Sequence, residues 1–156
     1  MANDLEGRVR LLEDIIAIQA LKIQYASHCD RNYDPEALAE LFVPEGVWDG
    51  GAQGRYEGRP AIKEFFRRAS KTFPFALHYV ANGAITVTGD EARGSWYLFM
   101  TATRAAPSGD VAIWNAVRYE DEFLRVDGGW RFTVVRVANR FFMTAFDQGW
   151  VKQRFI

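Results

Sequence analysis

The sequence predicts an α+β domain, with N-terminal helices packed on one face of a curved, mainly antiparallel sheet. Three observations carry this. The first third of the chain spaces its apolar residues at helical intervals, and from Phe75 onward the period changes to two. The long alternating runs are joined by turns too short for parallel crossovers, which need a dozen or more residues. At 156 residues and 17.8 kDa, residues 1–156 form a single domain with no linker and no internal repeat.

In the first helix Leu5, Val9, Leu12 and Ile16 recur at spacings of four, three and four, and Ile23 extends the stripe. An amphipathic helix ordinarily turns such a stripe to the core. Asn3 with Glu6 three residues on resembles a capping box. The helix is expected to end near Asp30. Asp34 as N-cap and Pro35 at the first helical position then start a short second helix. Its apolar face is Leu38, Leu41 and Phe42, and Pro44 stops it. Val47-Trp48 is a short strand. The run Gly50-Gly51-Ala52-Gln53-Gly54 is a plain loop, lacking the Gly-Lys-Ser/Thr of a phosphate loop. Pro60 opens a third helix with Ile62, Phe65, Phe66 and Ala69 on its apolar face. Strands follow over Phe75–Ala81, Ile85–Thr88, Glu91–Thr103, Val111–Val126 and Trp130–Phe142. Gly94 marks a bend or bulge.

Composition excludes several classes of function. Nineteen Lys and Arg against twenty Asp and Glu leave a net charge of −1, no electrostatic footprint for nucleic acid or an anionic membrane. Residues Thr72 to Gly89 carry no charged residue, but Pro74, His78, Asn82 and Gly83 mark them as strands rather than a membrane span. The N-terminus has Asp4 and Glu6 and no uninterrupted apolar core, so it is not a signal peptide. Cys29, the single cysteine, forms no intramolecular disulfide, and no Cys/His cluster has metal-ligand spacing. A cytoplasmic protein without metal is expected.

His78 shares a strand face with Ala76 and Val80, so it points toward the interior or a pocket between sheet and helices. An imidazole there is a general base if a carboxylate orients it, and Asp30 is a carboxylate at the end of the long helix. The alternative is a core histidine bonded to backbone. Trp114 and Asn115 alternate on a central strand, so one faces inward; both are candidate substrate-binding residues. Arg136 and Arg140, four apart, are expected on one strand face. Phe146, Trp150 and Phe155 make the C-terminal segment too aromatic for a free tail, so it closes the pocket or packs on a second subunit.

The segment Gly50–Phe66, with Tyr56-Glu57-Gly58-Arg59-Pro60-Ala61-Ile62 at its centre, resembles the loop-to-helix segment of SnoaL-like proteins. These belong to the nuclear-transport-factor-2-like, or cystatin-like, superfamily. Phe123-Leu124-Arg125-Val126-Asp127-Gly128-Gly129-Trp130 is similar to its last hairpin, and the element order resembles that fold over nearly the whole chain. The resemblance implies a cone with a central pocket. Tyr25, Asp30 and His78-Tyr79-Val80-Ala81-Asn82 resemble the catalytic positions of bile-acid dehydratase, hexachlorocyclohexane dehydrochlorinase and scytalone dehydratase.

What this implies is a cofactor-independent lyase or isomerase: His78, held by Asp30, removes a proton from a small hydrophobic oxygenated molecule, and Tyr25 assists the oxygen. Arg140 is nearest to a functional arginine of the family's last strand, with Asn139 competing for the place. No carboxylate falls in Trp96-Tyr97-Leu98-Phe99-Met100, where bile-acid dehydratase has one. Two other readings share the fold: a non-catalytic ligand-binding or assembly protein, and the small subunit of a ring-hydroxylating oxygenase. Relatives that self-associate through the outer sheet face make a homodimer or homotrimer the expected state.

Overall fold

A computed structural model describes residues 4–147. Helix α1 (Leu5–Asp30) begins at Asp4, whose carboxylate accepts from the Gly7 amide at 3.0 Å. The cap is therefore Asp4 and not Asn3, which lies outside the described residues. Left-handed conformations at Asn32 and Tyr33 turn the chain, and Asp34 caps α2 (Pro35–Glu40) by accepting from the Ala37 amide at 3.1 Å. Phe42, expected on the second helix, instead opens strand β1 (Phe42–Asp49). Pro44 lies where the strand's pairing skips from Phe42 to Val47, so its missing N–H costs no ladder bond.

A 3-10 turn (Gly51–Gln53) leads into β2 (Arg55–Glu57), a short strand absent from the sequence reading. Helix α3 (Arg59–Thr72) buries Ile62, Phe66 and Ala69. Four long strands follow: β3 (Phe75–Thr88), β4 (Glu91–Arg104), β5 (Val111–Val126) and β6 (Gly129–Ala145). The two strands expected over 75–88 are one strand with a bulge between Ala81 and Ala84, where Asn82 has φ 54°. The bulge thus lies on β3, while β4 keeps its register through Gly94. Gly94 serves packing instead: a Cβ there would collide with the Trp96 ring.

The six strands form one sheet in the order β2-β1-β6-β5-β4-β3, antiparallel except where β1 runs parallel to β6. The helices cover its inner face, giving the cystatin-like architecture expected. One expectation reverses. The stripe Leu5, Val9, Leu12, Ile16 and Ile23 is exposed, and α1 turns Asp14, Ile18, Leu21, Lys22, Tyr25, Ala26 and Cys29 inward. Two charges on that face hid it from an apolar-periodicity reading, and both are neutralised by the sheet. Lys22 Nζ lies 2.7 Å from Asp121 Oδ2, and Arg125 grips Asp14 with two bonds of 2.7 and 2.8 Å. No described helix is long and apolar enough to cross a membrane.

Candidate active site

The site is built on neighbouring rows of the sheet. Cross-strand register sets His78 of β3 opposite Met100 of β4, Met100 opposite Asn115 of β5, and Asn115 opposite Met143 of β6. The next inward row is Val80, Leu98, Val117 and Arg140. Tyr25, Cys29 and Tyr33 from the end of α1 and its turn, with Phe65, Phe66 and Phe73 from α3 and its end, close a cavity over these rows. Its volume of about 50 Å³ holds a few waters, at roughly 10–15 Å³ each.

His78 and Asp30, distant in sequence, meet here. His78 Nδ1 lies 2.7 Å from Asp30 Oδ1, and the same oxygen accepts from the His78 backbone N–H at 2.9 Å. One carboxylate oxygen thereby holds both the strand and the ring. With Nδ1–H given to Asp30, the neutral imidazole keeps its lone pair on Nε2. The ring lines the cavity with only 5% of the side chain exposed, and it meets the Tyr33 ring in a T-shaped contact at 5.7 Å between centroids.

Tyr25 is buried, and its hydroxyl oxygen accepts from Trp48 Nε1 at 2.8 Å. Burial holds its ionisation well above the usual phenol value, with the neighbouring Tyr119 adding to the shift. Tyr25 is therefore a hydrogen-bond donor at neutral pH and not a base. Burial raises the Cys29 thiol in the same way, which makes it a poor nucleophile. Asn115 is buried in the cavity wall, and its Oδ1 has no hydrogen-bond partner. Arg140 lines the cavity beside Gln53, donating to Gln53 Oε1 at 2.8 Å, and burial lowers its guanidinium below the ordinary arginine value.

A family model for the SnoaL-like domain matches residues 10–136. The chain belongs to the SnoaL-like family. This SnoaL-like chain is similar to Rv2910c, an uncharacterized protein of Mycobacterium tuberculosis, at 31% identity over 122 residues, covering 77% of this chain and 81% of that one. It is also similar in structure to a candidate scytalone dehydratase from Novosphingobium aromaticivorans: TM-score 0.77, 25% identity, 90% of this chain and 91% of that one. A hexachlorocyclohexane dehydrochlorinase from Novosphingobium barchaimii gives TM-score 0.79 at 20% identity, over 96% and 98% of the two chains, a likeness of fold.

Of the six residues singled out from the sequence of this SnoaL-like domain, the cavity brings together His78, Tyr25, Asn115 and Arg140, with Asp30 behind His78. Trp114 is the correction. Alternating with Asn115, it lies on the opposite sheet face, stacked on Phe99 and Phe146 at 5.2 Å each, with Nε1 donating to the Phe146 carbonyl at 3.1 Å. Phe146 thus packs outside the cavity, while Trp150 and Phe155 lie outside the described residues. The pairing of Arg136 and Arg140 on one face also fails. Bulges in β6 set Arg140 opposite the inward Val117, Asn139 opposite the outward Arg118, and Arg136 opposite Glu120. Sequence reasoning missed Tyr33, Tyr119 and Gln53, which all line the cavity. Tyr119 shares the face of Asn115 and Val117 at period two, a signal that was present; Tyr33 and Gln53 sit in turns, where no periodicity marks them.

Proposed function

We propose that this protein is a cofactor-independent lyase or isomerase of the dehydratase type, acting on a small hydrophobic oxygenated molecule. The observation that carries the reading is the 2.7 Å contact of Asp30 with His78 Nδ1, on a ring that lines a mostly apolar cavity. His78 Nε2 takes a proton from the carbon beside a carbonyl, and the C–H pair becomes an enolate. The Asp30 carboxylate stabilises the imidazolium, and the Tyr25 hydroxyl donates to the enolate oxygen. As the double bond forms, the neighbouring C–O bond breaks with its electron pair on oxygen. The imidazolium returns its proton to that oxygen, so water leaves and the base is restored. Delivery of the proton to another carbon gives isomerisation instead. Exclusion of water keeps the developing charge from being screened.

The similarity to a candidate scytalone dehydratase supports the same class. The test is to incubate the protein with a panel of cyclic β-hydroxy ketones and follow the ultraviolet band of the conjugated product. His78→Ala is expected to reduce turnover by about 10²–10⁴-fold, with a similar direction for Asp30→Asn, and with thermal midpoints little changed. Normal turnover in either variant removes the dyad from the mechanism. Saturable binding by the wild type with no product from any member of the panel identifies a ligand-binding protein of the same fold.

A further inference from the structure

We propose that the outward face of α1 joins two copies of this chain as a parallel homodimer, through a short two-stranded coiled coil. Large apolar side chains are usually exposed singly, yet here Leu5, Leu12, Ile16 and Ile23 are 64%, 60%, 64% and 64% exposed and Val9 is 45% exposed, all on one helix. Their spacing is four, three, four and then seven, with exposed Gln19 filling the gap as three and four. That is a heptad seam over 5–23, about 27 Å long.

The residue types select the partner. Val9, Ile16 and Ile23 occupy the first seam position of each heptad, and Leu5, Leu12 and Gln19 the second. Branched side chains at the first and leucine at the second favour two parallel strands. The flanks agree. In a parallel pair the residue before one seam position faces the partner's residue five places on, which sets Arg8 against the partner's Glu13 and Ile15 against the partner's Ala20. An antiparallel pair would instead set Glu13 against the Glu13 of the other copy, a like-charge contact, and leave Glu6 opposite Ala20. Isolated seams this short are weak, because forming the helix costs entropy. Here packing on the sheet has already ordered the helix, so association does not bear that cost.

Sedimentation equilibrium of the full chain is expected to give twice the chain mass at micromolar concentration. Ile16→Lys, at an exposed position, is expected to raise the dissociation constant at least about 100-fold while the circular dichroism spectrum stays the same. Arg8→Glu weakens the dimer and Arg8→Glu with Glu13→Arg restores it. Val9→Cys forms an intermolecular disulfide on mild oxidation, since only parallel pairing brings position 9 against itself; the native Cys29 is buried. A monomeric wild type overturns the proposal, whether the seam is bare or covered by the chain's own C-terminal segment. A dimer that survives Ile16→Lys overturns it in favour of the outer sheet face, and a Val9→Cys dimer that never cross-links excludes the parallel arrangement.

Discussion

Asn115 is the residue whose environment asks most plainly for a ligand. Its side-chain oxygen is buried without a partner, a state that costs about 1–3 kcal/mol and that native structures rarely tolerate without use. A substrate hydroxyl donating to Oδ1 would satisfy it. Asn115→Leu removes the orphan acceptor while keeping the branch at Cγ, and its larger methyl groups enter the cavity that Asn115 lines, so the thermal midpoint is expected to hold or rise. Activity should move the other way: kcat/KM for hydroxylated substrates falls about tenfold or more, while analogues lacking that hydroxyl are unaffected. A destabilised Asn115→Leu variant, or one that processes both substrate types as before, would show that the oxygen has another role. Much of the site was legible at this scale. His78 and Asn115 lie on strands, where period-two alternation tells which side chains share a face. That alternation fails where the strand bulges, as Arg136 and Arg140 demonstrate. No pattern of spacing announces an Asp30–His78 contact between a helix end and a strand; resemblance to known motifs supplied it.

At the scale of elements, Gly94 and Trp96 show how a strand position is chosen by its neighbour two residues on. The Trp96 indole lies over Gly94 on the inner face, also approaches Gly83 across the β3 bulge, and meets the Phe123 ring at 5.9 Å. Gly94→Ala places a methyl inside that ring's volume, and because the ring is packed the indole has little freedom to retreat. The expected cost is about 1–3 kcal/mol, read as a lower midpoint in denaturant, with Trp96 fluorescence shifted toward that of a wetter environment. An unchanged midpoint would mean that the ring relocates freely. The sequence marked this glycine as exceptional but not why, since a bulge and a missing Cβ leave the same trace in a strand pattern. Long alternating strands were read correctly for the same reason that α1 was turned inside out. The strands mark their inner face by mainly apolar alternation, interrupted at His78, Asn115 and Asp121, whereas α1 puts Asp14 and Lys22 against the sheet and leaves its strongest apolar stripe outside.

Across the whole molecule those two charges act as pins between helix and sheet, and they respond oppositely to pH. The Arg125 side-chain bonds hold the Asp14 carboxyl below the ordinary carboxylate value, so its contribution is present above that value and is lost as pH falls through the lower folded one. Asp14→Asn should therefore flatten the loss of stability below about pH 4. The Lys22–Asp121 pair is fully buried, with the ammonium also over the Tyr119 ring at 3.7 Å. Burial raises Asp121 above the ordinary value, and Lys22 is the largest influence holding it down. Lys22→Met strands that carboxylate, which should cost about 3–5 kcal/mol near neutral pH. With Lys22 gone the folded-state value climbs further, so the native state binds a proton that the unfolded state does not. Stability of Lys22→Met is then expected to rise as pH is lowered from 7 toward the ordinary carboxylate value, opposite in sign to the Asp14 effect. Lys22→Met with Asp121→Asn should recover most of the loss and abolish this pH dependence. Denaturant titrations of Lys22→Met, Asp121→Asn and the double variant at pH 7 and pH 5, with Asp14→Asn followed from pH 5 to pH 3, decide it: additive losses in the double variant, or a Lys22→Met variant indifferent to pH, would mean the pair is not the coupled pin described.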